Sequence, residues 1–219
     1  MLVFGYSFGE NPTALVKEEL HVLKFSDCMK VTKKDNVVIF GVEYNGDDSF
    51  SLDNVATICE LAKNIIYISS ASVYATKLLF PYKENDTLAS NTIEGTINEV
   101  LEEIVLATAF DFNNNACVLR VDTIEDSALL DLIEAKAQRG LYGSLFNRMS
   151  VITLERLFLV TERVFRNMKP HASEIYNIAE KSMSEHSYYS KLSPLPVSHK
   201  IKFGNSALNT DKAKKVGLL

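Results

Sequence analysis

Ser69, Ser70 and Ser72, with Tyr74 close behind, follow the apolar run Ile65-Ile66-Tyr67-Ile68. Side chains leaving the carboxyl edge of an open α/β sheet face the ligand crevice instead of a packed layer, so these hydroxyls are candidate site residues. A strand-end hydroxyl also serves the backbone alone, and a tyrosine there serves packing as readily as chemistry. No Gly-x-Ser-x-Gly elbow surrounds the serines, which disfavours hydrolase chemistry. His21, His171, His186 and His199 lack ligand spacing and no cysteine pair lies nearby, so they read as surface or capping residues and a metal site is not expected. Tyr188 and Tyr189 would stack on a ring or cover the core.

The elements that must position these groups alternate between two periods. Leu2-Val3-Phe4 reads as a short buried strand entering a glycine-containing turn, Gly5 to Gly9. Asn11 caps the helix expected next and Pro12 suits its first turn, with the helix running to about Leu20. Residues 21–25 form a candidate short strand, and Asn36 to Val42 a buried one. A helix over 52–63 leads into the strand 64–70. The stretch 76–91 is polar and contains Pro81. A helix over 92–110 carries Ile93, Ile97, Val100, Leu101, Ile104 and Val105 at the spacing of a buried stripe. Residues 116–121 are another buried strand. Strands alternating with helices imply a parallel sheet covered on both faces. Beyond residue 122 the pattern changes to helices at about 126–139 and 153–167, a short strand at 174–178 and a polar tail.

The chain has 219 residues, 47% apolar, enough for one well-filled core. Its net charge of −5 leaves no broad basic surface, so nucleic acid is not an expected partner. Cys28, Cys59 and Cys117 are far apart within or beside apolar segments, as free buried thiols of a reducing, cytoplasmic setting would be. No apolar run reaches the roughly 18–20 residues of a membrane span, and no secretion signal is found at the amino terminus.

The order of Ser69-Ser70-Ala71-Ser72-Val73-Tyr74, Pro81, Glu84, a helix carrying Gly95 and Glu102, and Val118-Leu119-Arg120-Val121 resembles the core of the extended short-chain dehydrogenase/reductases, the nucleotide-sugar epimerases and dehydratases. Residues 151–157, 174–179 and 208–218 are similar to later segments of that family, in its order. The resemblance implies an α/β fold: a Rossmann-like doubly wound parallel sheet with a small carboxy-terminal α+β appendage. A nucleotide-binding core would occupy residues 1–122, and a substrate-side region, partly woven into it, 123–219. It also implies NAD or NADP as cofactor, a nucleotide-linked sugar as ligand, a role in surface polysaccharide biosynthesis, and a homodimer through the helix 92–110. Ser70 would hydrogen-bond the reacting oxygen. Gly5, Ser7, Phe8, Gly9, Asp27, Gly41, Ser69 and Asn98 fall on or near cofactor-binding positions, Asp27 as the ribose or adenine ligand.

Departures from the family concentrate where its proton transfer takes place. A tyrosine and a lysine four residues later share one helix face there, the ammonium lowering the phenol's pKa. Glu94 and Asn98 stand at those positions here, and an amide supplies no such field. Glu94 could replace the phenol if burial raised its pKa; otherwise it is a solvated carboxylate in a helix's first turn. Tyr74 is another phenol within reach of the site. The phosphate-binding turn keeps Gly5 and Gly9, but Glu10 sets a carboxylate where phosphate should sit, and the third glycine is replaced by Asn11 or Pro12. Two functions follow: an atypical enzyme on nucleotide-linked sugars using Ser70, Glu94 and Tyr74, or a non-catalytic derivative that keeps the sheet for binding or assembly.

Overall fold

A computed structural model describes residues 1–5, 20–41, 49–75, 80–126, 129–131, 133, 135, 142–193, 196–200 and 204–219. Ser7, Phe8, Gly9, Glu10, Asn11 and Pro12, with the helix expected after them, lie outside these residues, as does part of the helix expected at 126–139.

Six strands form one parallel sheet: β1 (Leu2–Phe4), β2 (His21–Leu23), β3 (Asn36–Phe40), β4 (Asn64–Ser70), β5 (Asn115–Val121) and, far along the chain, Glu174–Asn177, which becomes β9 below. Their spatial order is β2-β1-β3-β4-β5-β9. The chain moves outward from β1 to β2 and then returns past β1 to β3, so the direction of winding reverses beside β1. Ligand crevices of open sheets form at such reversals, outside the carboxyl ends of the strands.

Alternation along each strand builds two cores. In β4, Ile66 and Ile68 join Val38, Phe40, Leu119 and Val121 on one face, while Ile65 and Tyr67 join Val37, Ile39 and Val118 on the other. The first face is covered by α3 (Leu154–Arg166), through Leu157, Phe158, Val160 and Val164; the second by α1 (Leu52–Leu61) and α2 (Ile93–Asp111). Ser51, Thr92 and Thr153 cap these helices, accepting from the backbone N–H of Asn54, Gly95 and Arg156. At the opposite, amino edge of the sheet, the facing residues Asn36, Asn64 and Asn115 form a side-chain ladder: Asn64 Nδ2 donates to Asn36 Oδ1 and Asn115 Nδ2 to Asn64 Oδ1, both at 2.8 Å.

The face that α2 buries differs from the expected stripe. Leu101 and Val105 are buried as predicted, but Ile93 is 76% exposed and Val100 40%, while Gly95, Asn98 and Glu102 point inward. Two polar anchors set this phase. Asn98 accepts a hydrogen bond from the Tyr67 hydroxyl at 2.6 Å, and Glu102 pairs with the buried Arg120 of β5. A buried polar group without such partners is costly, so these contacts outweigh a slightly more apolar rotation.

Beyond β5 lie β6 (Thr123–Glu125), β7 (Tyr142–Ser144), β8 (Asn147–Thr153), β9, β10 (Lys181–Ser184), β11 (Ser198–Lys200) and β12 (Gly204–Asn205). A small sheet runs β10-β8-β12 with β6 also paired to β8, and β7 pairs with β11. Helix α4 (Glu185–Leu192) packs on this region, and the short α5 (Asp211–Lys215) returns to β9, where Lys212 Nζ donates to the Ile175 carbonyl at 2.7 Å and meets Glu174 at 2.7 Å. Residues after 122 therefore supply both the sixth strand of the main sheet and a helix covering one of its faces. Cys28, Cys59 and Cys117 are free and buried. Among the described residues, no helix is long and apolar enough to cross a membrane.

Candidate functional site

The carboxyl edge of the sheet opens where β4 ends. Ser70 passes into a single 3-10 turn, Ala71–Val73, and its Oγ accepts the Ser72 backbone N–H at 3.1 Å, capping the turn. Helix α2 starts close against this turn: a methyl group at Gly95 would collide with the Ser72 carbonyl, so only glycine allows the approach. The result is a cleft of ≈ 390 Å³. Ser70 and Ser72 line it from β4, Asp122 from the end of β5, Asn91 from the loop before α2, and Asn205 and Ser206 from the late segment, with Tyr74 and Tyr82 beneath. Ser72 Oγ is buried in this wall without a hydrogen-bond partner among the described residues. Asp122 Oδ2 accepts from the Ser150 N–H and from the Ser206 hydroxyl, each at 2.7 Å, which ties the late segment to the strand ends.

A buried polar network supports this floor. Arg120, 1% exposed, donates through Nε and Nη2 to both oxygens of Glu102, at 2.9 and 2.6 Å. Ser69 donates to Glu102 Oε1 at 2.5 Å. Arg120 Nη1 reaches the Tyr74 hydroxyl at 2.9 Å and the Glu84 carbonyl at 3.2 Å. Tyr74 in turn donates to Asn177 Oδ1 at 2.7 Å and stacks flat on Tyr82, ring centroids 4.7 Å apart. Asn177 closes the circuit through its Nδ2 to the Tyr82 carbonyl and its N–H to Glu84 Oε1.

The electrostatics of the network decide what Tyr74 can do. Burial pushes its phenol up to about 12, and the opposing charge and hydrogen bond of Arg120, with the Asn177 bond, do not overcome that. The guanidinium itself is already occupied: burial would loosen its proton, but the bonds and charge of Glu102 hold it above the ordinary arginine value. Tyr74 is thus a phenol tied on both sides, to Arg120 and to Asn177, whose ionisation burial opposes.

The other expected residues scatter. Ser70 lines the cleft together with Tyr74. Glu94 is exposed in the first turn of α2, so the burial that proton transfer would need is missing. Ser69 and Asn98, expected at a cofactor, are fully buried and turned toward Glu102 and Tyr67. The period of two in β4 requires this of Ser69, because it follows Ile65 and Tyr67 onto the α2 face. Gly41 lies against the same pair: a Cβ there would stand 2.6 Å from Asn98 Oδ1 and 2.9 Å from the Ile68 carbonyl. Gly5 turns the chain after β1 at φ +73°. Asp27 sits in a 3-10 turn after β2 and pairs with Lys30 at 2.8 Å. His171, expected at the surface, is buried, with Nδ1 2.9 Å from the Tyr176 hydroxyl; burial lowers its pKa although Glu174 opposes. Among the described residues no cluster of three His, Cys, Asp or Glu side chains could hold a metal.

Sequence reasoning passed over Glu102 and Arg120 as partners, although a Glu on a buried helix face and an Arg inside Ala116-Cys117-Val118-Leu119-Arg120-Val121 each demand one. Asp122, Asn177, Asn205 and Ser206 carry no comparable local signal.

Neither protein-family models nor curated proteins match the chain. Solved structures do. A dTDP-4-dehydrorhamnose reductase from Bacillus anthracis in complex with NADP aligns at TM-score 0.72 and 12% identity, over 100% of this chain and 91% of that one. A dTDP-glucose 4,6-dehydratase from Streptomyces venezuelae with NAD bound aligns at 0.70 and 13%, over 98% and 80%. A UDP-glucuronic acid 4-epimerase from Bacillus cereus in complex with NAD aligns at 0.68 and 13%, over 98% and 82%. The chain has the fold of these enzymes. On this Rossmann frame, shared with epimerase, dehydratase and reductase alike, the carboxyl edge that holds Ser70 is the expected ligand side of the sheet.

Proposed function

We propose that this chain binds a nucleotide-linked sugar at the Ser70 cleft, on a frame that takes NAD or NADP, without the phenol–ammonium chemistry of the family it resembles. The lining of the cleft carries the proposal: its described residues offer hydroxyls, amides and one carboxylate. Serine hydroxyls and asparagine amides both donate and accept, as sugar hydroxyls do, and Ser72 Oγ has no hydrogen-bond partner among the described residues. A volume of ≈ 390 Å³ lies within the range of small-molecule sites, roughly 300–1,000 Å³.

The fit to a dinucleotide is uneven. Gly5, in a left-handed turn after β1, suits close backbone approach to a diphosphate, and Asp27 after β2 would take the ribose. A bound nicotinamide supplies hydride acceptance and return. At that end the residues do not fit: Glu94 is exposed, Asn98 is sealed under Tyr67, and Tyr74 is held neutral. Redox turnover is therefore not part of the proposal, and Ser70 is a binding hydroxyl. The substrate class suggests surface polysaccharide synthesis, and the buried free thiols suit a cytoplasmic setting.

Thermal shift tests the reading. UDP- or dTDP-sugars should raise the melting temperature, since a ligand at one hundred times its dissociation constant adds about 2.7 kcal/mol. Ser70→Ala should weaken that shift, and Glu94→Gln should leave it unchanged. No shift with any nucleotide sugar would sink the proposal.

A further inference from the structure

At the Ser70 cleft, β4 ends in hydroxyls and β5 in a carboxylate. Ser70 Oγ accepts the Ser72 N–H at 3.1 Å and still has its own proton to give, and Ser72 Oγ is buried with no hydrogen-bond partner among the described residues. Other polar groups of the lining are spent on the frame. The Tyr74 hydroxyl lies between Arg120 and Asn177. Asn205 Oδ1 accepts the Ala207 N–H at 3.0 Å, and its Nδ2 donates to the Phe80 carbonyl at 2.5 Å. The Ser206 hydroxyl is turned to Asp122.

Among the described lining residues, only Asp122 is of a charged type. The Ser150 N–H and the Ser206 hydroxyl both bond to its Oδ2, at 2.7 Å each, and the Ser206 N–H is held in turn by the Arg148 carbonyl at 2.7 Å. The Arg148 guanidinium reaches away to the Ser182 carbonyl, at 3.4 Å. Fixed from two elements, the Asp122 carboxylate cannot swing aside for a ligand. A sugar hydroxyl beside it gains a charge-assisted hydrogen bond, whereas a sugar carboxylate brings no donor and meets a like charge.

We propose, on the reading of this cleft as a nucleotide-sugar site, that Asp122 makes it select by charge, taking neutral sugars and rejecting uronic acids. Calorimetric titration of the full chain with glucose and glucuronate, each linked to UDP and to dTDP, tests this. Within a nucleotide series the glucuronate form should bind at least about tenfold more weakly than the glucose form. Asp122→Asn keeps the shape and removes the charge, so it should strengthen glucuronate binding and bring the two sugars within about threefold of each other. Mere damage to the wall would weaken both. If that variant does not fold, the parent repeats the test, because added salt should shrink the glucuronate penalty. Equal binding of the two sugars, a penalty that persists in folded Asp122→Asn, or, where that variant does not fold, a penalty indifferent to salt would overturn this proposal alone. No binding of any of the four ligands would remove the reading of the cleft with it.

Discussion

Arg120 is the residue on which the floor of the cleft depends. Its charge is neutralised by Glu102 in bidentate geometry, and its third nitrogen fixes Tyr74. Replacing it with Met should destabilise the protein by about 3–5 kcal/mol, because Glu102 would be left buried and unpaired. Urea denaturation should also show that Glu102→Leu with Arg120→Met recovers much of the loss; a single variant as stable as the parent would refute the role. His171 gives a pH dependence of definite sign. Burial lowers its folded pKa below the ordinary 6.5, so the unfolded chain takes the proton first. Its contribution is complete above about pH 6.5 and declines as pH falls below that value. Melting temperatures between about pH 7 and pH 5 should therefore fall less steeply in His171→Asn than in the parent. At this scale the sequence displays Ser70 clearly, since a hydroxyl after four apolar residues stands out. The buried roles of Ser69 and Asn98 are hidden because they depend on which face a neighbouring helix presents.

Helix α2 shows why element positions are easier to read than their rotation. Its expected span, 92–110, lies within a residue of Ile93–Asp111 at each end, because Thr92 caps it and the apolar content is high. Its rotation depends on Tyr67 and Arg120, which are distant in sequence. Gly41 lies against this anchor, and Gly41→Ala should cost about 1–3 kcal/mol by overpacking, since the added methyl meets both the Asn98 oxygen and a strand carbonyl. A variant with unchanged stability would show that the contact relaxes freely. The same rotation leaves Ile93, Val100 and the 78%-exposed Phe110 outside, and we propose that they join two copies through α2. Light scattering should then find a dimer that Phe110→Glu converts to monomer; a monomeric parent would remove this reading.

Across the whole molecule, the parallel sheet was legible because the strands buried on both faces, Asn36–Phe40, Asn64–Ser70 and Asn115–Val121, are each built around an apolar run. The strands after β5 were largely missed: β7, β10 and β12 are two to four residues long and mostly polar, stabilised by pairing with distant segments. Part of the cleft wall, Asn205 and Ser206, comes from the segment that one of those pairings holds in place. The asparagine ladder at the amino edge has a different consequence, for how the gene can vary. Each rung requires β3, β4 and β5 to begin level with one another, and a slip of one residue would break the rung and turn every side chain of that strand to the opposite face. Insertions within these strands should be rejected, while their connecting loops can lengthen freely. A library of random single-codon insertions, sorted for folded protein, should therefore show three narrow gaps at residues 36–40, 64–70 and 115–121.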